Sequence, residues 1–241
     1  MASASGFDLP RAFRAARALS EDPDDTRHVF TLLESLSWKS NERILKGYQK
    51  DVEGRRMLRE RPELLPILCD RAALAAMPEG SLARAYLSFV DSEGITADGL
   101  VAASLEGQKG LHEPGSDAAY VGQRMRDTHD LWHTVTGYKG DLIGEVALLS
   151  FSNAQIWNPG VTVVVGVGVF KIRKLGVART IASARVRGMR AGWLPVAAWE
   201  RLLPLPLTEV RARLKVKPVR PYEELRTATL REKGELAPRA M

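Results

Sequence analysis

Two of the four histidines in this chain stand in the stretch RMRDTHDLWHTVTGYKGDLIGEVALLSF, residues 124–151. His129 and His133 are four apart, so on a helix they lie about 40° apart around the axis, and Asp130 follows His129 by about 100° on the same side. Those three side chains can converge on one point. Val121 and Met125 precede His129 at four-residue steps and Trp132 adjoins His133, so the stripe that carries the histidines is the apolar one and turns both imidazoles toward protein. Gly137 is a natural left-handed stop, and Asp141 is a natural cap for a new helix. His133 then lies about one turn before the break and Glu145 about one turn after it, so an antiparallel hairpin returns Glu145 to the histidines. His129, Asp130, His133 and Glu145 offer two nitrogens and two carboxylates. That set suits a divalent metal, zinc first, with iron(II), manganese or cobalt as the other candidates.

Other readings of the same residues compete with this one. An arbitrary HxxxH pair is also what a decorated helix start plus one satisfied core histidine looks like, and the returning carboxylate is what favours a metal. In an HExxH metalloprotease the glutamate between the histidines is a general base. Aspartate is one methylene shorter and reaches a metal less awkwardly than it reaches a water, which argues against a protease. Four ligands in a closed tetrahedron would make zinc structural, whereas an open position supports catalysis. Two histidines and a carboxylate are also the minimal kit of nonhaem iron oxygenases.

Helices must position these residues. Residues 22–36 repeat Val29, Leu32, Leu33 and Leu36 at helical spacing behind Pro23. A second amphipathic stretch runs from 40 to 61, where Pro62 and Pro66 end it. Gly80 and Ser81 cap a helix over 82–90 with Leu82, Tyr86, Phe89 and Val90 on one face. Four glycines between 95 and 116 predict turns. Residues 161–170, VTVVVGVGVF, favour strand by local propensity. Asn158-Pro159 is nevertheless a good helix start, and no second strand-like run exists to pair with it, so the expectation is a helix in which Gly166 and Gly168 admit a close neighbour. Residues 203–206 form a rigid connector and 208–214 a short helix. The predicted fold is all-α, a single compact multi-helix domain over 23–222 with a metal-binding helical hairpin, between an N-terminal segment 1–22 and a polar C-terminal tail 223–241.

Composition agrees with a soluble globular chain: 241 residues, 45% hydrophobic and 27% charged. Cys69 is the single cysteine and closes nothing within the chain. The net charge of +6 is uneven, because residues 171–220 hold 13 basic residues against 2 acidic ones while residues 1–170 hold 18 against 23. Such a region asks for an anionic partner. No recognition motif or interleaved aromatic platform accompanies the arginines, so nucleic acid is set aside. Directly after the valine-rich helix, the surplus reads as a membrane-surface or partner-docking face, with Arg185, Arg187 and Arg190 its leading residues. The longest apolar run, Gly160 to Phe170, is far shorter than the roughly 20 residues that a spanning helix needs. Residues 1–10 lack the apolar core of a secretory signal. Arg11, Arg14 and Arg17 among alanines suggest a transit peptide, against which the acidic residues from Glu21 to Asp25 stand. An intracellular protein that touches membranes without spanning them is expected. His28 and His112 receive no role.

HDLWHTVTGYKGDLIGE resembles the HDxxH-x11-E signature of the fourth coenzyme Q (ubiquinone) biosynthesis protein family. EGRRMLRERPEL at 53–64, MPEGSLARAYLSFVDSEGI at 77–95, RMRDTHD ahead of the signature and AAWERLLPLPLTEVRARLKV at 197–216 extend the resemblance over residues 25–218. It departs at Ala83, where the family usually carries glycine. The resemblance implies an all-helical fold and a divalent metal, usually written as zinc, at His129, Asp130, His133 and Glu145. It also implies a peripheral membrane location: the cytoplasmic face of a bacterial inner membrane or, alternatively, the matrix side of the mitochondrial one. The implied activity is that of a carbon–carbon lyase, removing the C1 carboxylate of a 4-hydroxy-3-methoxy-5-polyprenylbenzoate with replacement by hydroxyl. Other quinone-biosynthesis proteins are the implied partners, with self-association into a homo-oligomer also open. A polyprenylated lipid substrate needs an apolar channel, and the helix over 161–170, with Gly166 and Gly168, is a candidate wall. Arg124 and Arg126 stand ahead of the metal motif, where they could meet an anionic substrate. The rival implied class is a non-enzymatic lipid-binding scaffold that gathers the pathway's enzymes.

Overall fold

The computed structural model describes residues 8–21, 31, 35–36, 40–95, 115–172 and 175–233. In chain order its α-helices are α1 (Leu9–Glu21), α2 (Ser40–Lys50), α3 (Val52–Glu60), α4 (Leu65–Cys69), α5 (Arg71–Ala76), α6 (Leu82–Glu93) and α7 (Asp117–Asp127). They continue with α8 (His129–Thr136), α9 (Leu142–Gln155), α10 (Pro159–Ile172), α11 (Leu175–Arg190), α12 (Trp199–Leu202), α13 (Leu207–Arg213) and α14 (Thr227–Glu232). The one β-type pairing among the described residues is an isolated bridge between Ser81 and Pro206, so the all-α expectation holds. The expected helix over 22–36, the glycine-rich turns, His28 and His112 lie wholly or mostly outside the described residues. Two compact units emerge, Met1–Ser40 with Gly140–Met189 and Arg220–Met241, and Asn41–Lys139 with Arg190–Val219.

In the first unit the valine-rich segment is helical, as expected. Asn158 accepts hydrogen bonds from the backbone of Gly160 at 2.7 Å and Val161 at 3.4 Å, so a local cap outweighs the strand preference of the β-branched run. A Cβ placed at Gly168 would lie 2.7 Å from Val146 Cγ2, which makes this glycine the point where α10 meets α9. Helix α11 lies along α9 as well: the Ser150 hydroxyl donates to the Ile181 carbonyl at 3.0 Å, and a Cβ at Gly188 would overlap the Phe151 carbonyl. Residues 1–22 contain a helix, α1, whose Ala12 and Ala15 pack with Leu36 and Val164. Asp141, which caps α9, also accepts from the Tyr222 hydroxyl at 2.6 Å and the Leu225 amide at 3.0 Å.

In the second unit the amphipathic stretch that begins at Ser40 divides into α2 and α3 at Asp51. The Asp51 carboxylate accepts from the amides of Glu53 at 2.8 Å and Gly54 at 3.0 Å, so a cap makes the break while the glycines serve packing. A Cβ at Gly47 would overlap the Trp193 ring, and one at Gly54 would overlap the Tyr48 backbone. Tyr48, Met57, Val121 and Val196 form one buried cluster. Helix α6 starts at its Ser81 cap and runs three residues beyond the predicted end, to Glu93. Its first amides, Leu82 and Ala83, donate to the carbonyls of Leu205 at 2.8 Å and Leu203 at 2.9 Å, which ties the 203–206 connector to the helix start.

Candidate metal centre

The histidine-bearing helix is interrupted where continuity was expected. Thr128 separates α7 from α8, and its hydroxyl donates to the Met125 carbonyl at 3.1 Å, competing for the acceptor that the His129 amide would use in an unbroken helix. Downstream, the expected caps are present. Gly137 takes φ 81° and its amide donates to the His133 carbonyl at 2.8 Å, while Asp141 accepts from the Ile143 amide at 3.0 Å.

His133 is 1% exposed, and its ring stacks on Phe89 with centroids 5.1 Å apart and planes 14° from parallel. Its Nδ1 lies 3.0 Å from the Tyr138 carbonyl oxygen. A carbonyl only accepts, so Nδ1 carries the proton and Nε2 bears the lone pair, the tautomer that a metal ligand needs. His129 corrects the expectation that both rings face protein, because its side chain is 48% exposed. It stands in the first turn of α8, just past the Thr128 break, with Nδ1 3.0 Å from Asp130 Oδ1. A carboxylate at that nitrogen again leaves Nε2 as the ligand atom. The two rings lie edge to face, 4.8 Å between centroids.

Within the continuous stretch from His129 to Glu145, the two histidines and the glutamate each offer one ligand atom, and those atoms all lie within 4.8 Å of one another. Tetrahedral zinc with bonds of about 2.0–2.1 Å holds its ligand atoms roughly 3.3 Å apart, so small side-chain rotations close the set. The His129 side chain is half exposed, so part of its surface faces solvent. Two imidazole nitrogens and a carboxylate oxygen fit zinc and equally iron(II), manganese or cobalt. Asp130 stands outside this group of three, with its Oδ1 on His129 and its residue 7% exposed.

The expected substrate contacts are placed differently. Arg124 is buried and donates to both oxygens of Glu200, at 2.7 and 2.9 Å, and to the carbonyls of Ala197 at 3.3 Å and Pro62 at 3.4 Å. Burial pushes its pKa down, but Glu200 outweighs burial and the net shift is upward. These contacts make Arg124 a structural tie within its unit. Arg126 pairs with Asp127 at 3.1 Å, and burial raises the Asp127 carboxyl above its ordinary range. Gly168 receives Val146, whereas nothing lies within 4 Å of a Cβ built at Gly166. Sequence reasoning missed Tyr138 and Phe89 as partners of His133. Tyr138 follows the Gly137 stop, where the chain doubles back, and that position was the available signal.

An all-α chain in which two histidines and a glutamate come together defines a class, helical proteins with a candidate divalent-metal site. Comparison with known proteins narrows it: residues 10–220 match the model of the coenzyme Q (ubiquinone) biosynthesis protein Coq4 family, and the chain belongs to that family. The chain is 30% identical over 174 residues to the mitochondrial ubiquinone biosynthesis protein COQ4 homolog of Mus musculus, covering 70% of this chain and 63% of the mouse protein. To the mitochondrial ubiquinone biosynthesis protein coq4 of Sclerotinia sclerotiorum it is 30% identical over 182 residues, covering 73% and 61%. The matched region thus spans somewhat under two thirds of the length of these relatives. The fold is similar to the crystal structure of a Nostoc punctiforme protein described as a ubiquinone biosynthesis protein, with a TM-score of 0.60, 21% identity, and coverage of 87% of this chain and 98% of that one.

Proposed function

We propose that this protein is a metal-dependent enzyme of ubiquinone biosynthesis that removes the C1 carboxylate of a 4-hydroxy-3-methoxy-5-polyprenylbenzoate and leaves a hydroxyl in its place. The observation that carries the reading is the grouping of His129, His133 and Glu145 in a chain of a family named for that pathway. One carbon–carbon bond breaks and carbon dioxide leaves. One oxygen atom enters from dioxygen, and its second oxygen leaves as water with two electrons and two protons from an external reductant. His129 and His133 hold the metal through Nε2 and Glu145 through a carboxylate oxygen. Asp130 orients His129, and the Tyr138 carbonyl orients His133. Phe89 covers one face of the His133 ring and keeps water off it. When bound, the metal supplies Lewis-acid stabilisation to the carboxylate or the neighbouring phenolate oxygen. His129, His133 and Glu145 would hold the metal, and Asp130's engagement with His129 favours three protein ligands over four.

The prenyl chain calls for a lipid surface, and several features support docking on one. No described helix is long and apolar enough to cross a membrane. The Gln155 side chain donates to the Gly188 carbonyl at 2.5 Å, so the turn after α9 and the end of α11 share one end of their unit. Trp157, Val186 and Met189 are 48%, 39% and 60% exposed there, beside exposed Arg185. Aromatic and aliphatic groups flanked by arginine suit the headgroup region of an anionic bilayer. We assign the protein to the inner face of the membrane where quinone is made, among other enzymes of the pathway. A scaffold without catalysis is the rival, favoured only if Asp130 joins as a fourth ligand.

Metal-loaded protein given a short-chain prenyl-hydroxymethoxybenzoate, dioxygen and a reductant is expected to release carbon dioxide. Metal-stripped protein and the Glu145→Ala variant are expected to release at least about 100-fold less. Equal release by Glu145→Ala contradicts the catalytic role of the site.

A further inference from the structure

The last turn of α8 is held from outside the helix. Its final carbonyls cannot be satisfied by amides within it, since a helix leaves its last C=O groups without intrahelical donors. The Gly137 amide takes the carbonyl of His133. Arg211, on α13, supplies the next two, with Nε donating to the Val135 carbonyl at 2.8 Å and Nη2 to the Thr134 carbonyl at 3.2 Å. The Val219 amide donates to the Thr136 carbonyl at 2.9 Å. Every carbonyl of the turn is thereby engaged, and the guanidinium charge sits at the negative end of the helix dipole. Gly137 lies under the same clamp, because a Cβ there would be 3.4 Å from Val219 Cγ1 and 3.9 Å from Arg211 Nη2. One residue on, Tyr138 presents the carbonyl that hydrogen-bonds His133 Nδ1.

We propose that Arg211 is a positioning residue for the metal ligand His133, acting through the turn that carries the Tyr138 carbonyl; this rests on the metal-centre reading above. Without the fork, the Thr134 and Val135 carbonyls turn outward for water and the turn loosens. The Tyr138 carbonyl then drifts from His133 Nδ1, and the ring loses both its fixed rotation and its preference for the tautomer with the lone pair on Nε2. Removing such an outer partner ordinarily weakens metal binding about 10- to 100-fold.

The test is a competition titration of the metal-stripped full chain with zinc against a chromophoric chelator, together with the visible spectrum of the cobalt(II) form, which reports ligand geometry without turnover. Arg211→Met is expected to bind zinc roughly 10- to 100-fold more weakly and to shift the cobalt bands. Arg211→Lys, which keeps the charge but not the fork, is expected to fall between it and the parent. Arg213→Met is the control on the same helix, since Arg213 is 57% exposed and pairs with Glu209 at 2.6 Å, and it is expected to match the parent. Folded Arg211→Met with affinity within twofold of the parent and an unchanged cobalt spectrum overturns the proposal. Should Arg211→Met not fold, Arg211→Lys decides in the same way. Parent protein that takes up neither ion overturns the metal reading as well, whereas tight parent binding with indifferent Arg211 variants overturns this proposal alone.

Discussion

Helices α8 and α10 invert the usual relation between polarity and burial. Every residue of α8 from Asp130 to Thr136 is buried, including Asp130, His133, Thr134 and Thr136. Helix α10 is apolar through most of its length, yet Val163 is 39% exposed and Gly166 opens on empty space. Burying polar groups is costly unless each finds a partner. In α8 several do: the hydroxyl of Thr134 donates to the Asp130 carbonyl at 2.8 Å, that of Thr136 to the Trp132 carbonyl at 2.6 Å, and His133 Nδ1 to the Tyr138 carbonyl at 3.0 Å. Nothing comparable is required of α10, whose contacts with α9 and α1 run through Gly168 and Val164. In α8 burial follows the hydrogen-bond partners within reach rather than hydropathy alone.

The sharpest way to break this contrast lies in α8 itself. In metal-free protein, His133→Ala removes a ring stacked on Phe89 and leaves the Tyr138 carbonyl without its donor, so it is expected to cost about 2–4 kcal/mol of unfolding free energy. His129→Ala, at a half-exposed position, is expected to stay within about 0.5 kcal/mol. Urea unfolding of the two variants measures the difference. Equal losses would mean that the two ends of α8 are not held differently. On α10 the two glycines offer a matched pair. Gly168→Ala pushes a methyl into Val146 and is expected to destabilise by about 1–3 kcal/mol, whereas Gly166→Ala is expected to be neutral or to stabilise by up to about 1 kcal/mol. Thermal melts of both variants check the order.

A smaller effect, on binding alone, is expected at the exposed apolar end of the first unit. Trp157→Ser with Met189→Ser should weaken sedimentation with vesicles rich in anionic lipid several-fold and leave the melting temperature nearly unchanged. Loss of vesicle binding at high salt should accompany it. The smallest effect belongs to a partly exposed surface network. Hydrogen bonds from Arg56 and Arg201 hold the Glu53 carboxyl below its usual range. A depressed carboxyl contributes stability above its unfolded pKa and loses it as pH falls through its folded value. Glu53→Gln should therefore cost under about 1 kcal/mol at neutral pH, and urea titrations should show the gap closing as pH drops below the carboxylate range.

Much of this arrangement was legible in local chemistry. Asn158 announced α10 against the strand preference of its valines, and Gly137 and Asp141 marked the end of α8 and the start of α9, because caps act within three residues of themselves. The break at Thr128 was not legible, since a threonine hydroxyl that competes for a carbonyl looks the same in sequence as one that does not. The exposure of His129 follows from that break and was missed with it. The buried pairing of Arg124 with Glu200 is not legible either, because the two are 76 residues apart and pairings of that range leave no local trace. The clamp of Arg211 on α8 belongs to the same category.

The account stands or falls on whether His129, His133 and Glu145 hold a metal. The most direct measurement is the zinc stoichiometry and affinity of metal-stripped protein by competition titration, for the parent and for His129→Ala, His133→Ala, Glu145→Ala and Asp130→Asn. One zinc per chain is predicted, with each of the first three variants weakened at least about 100-fold and Asp130→Asn weakened about 10-fold, as suits a residue that orients a ligand. Parent protein that binds no zinc, or Glu145→Ala that binds it as tightly as the parent, would contradict the central claim.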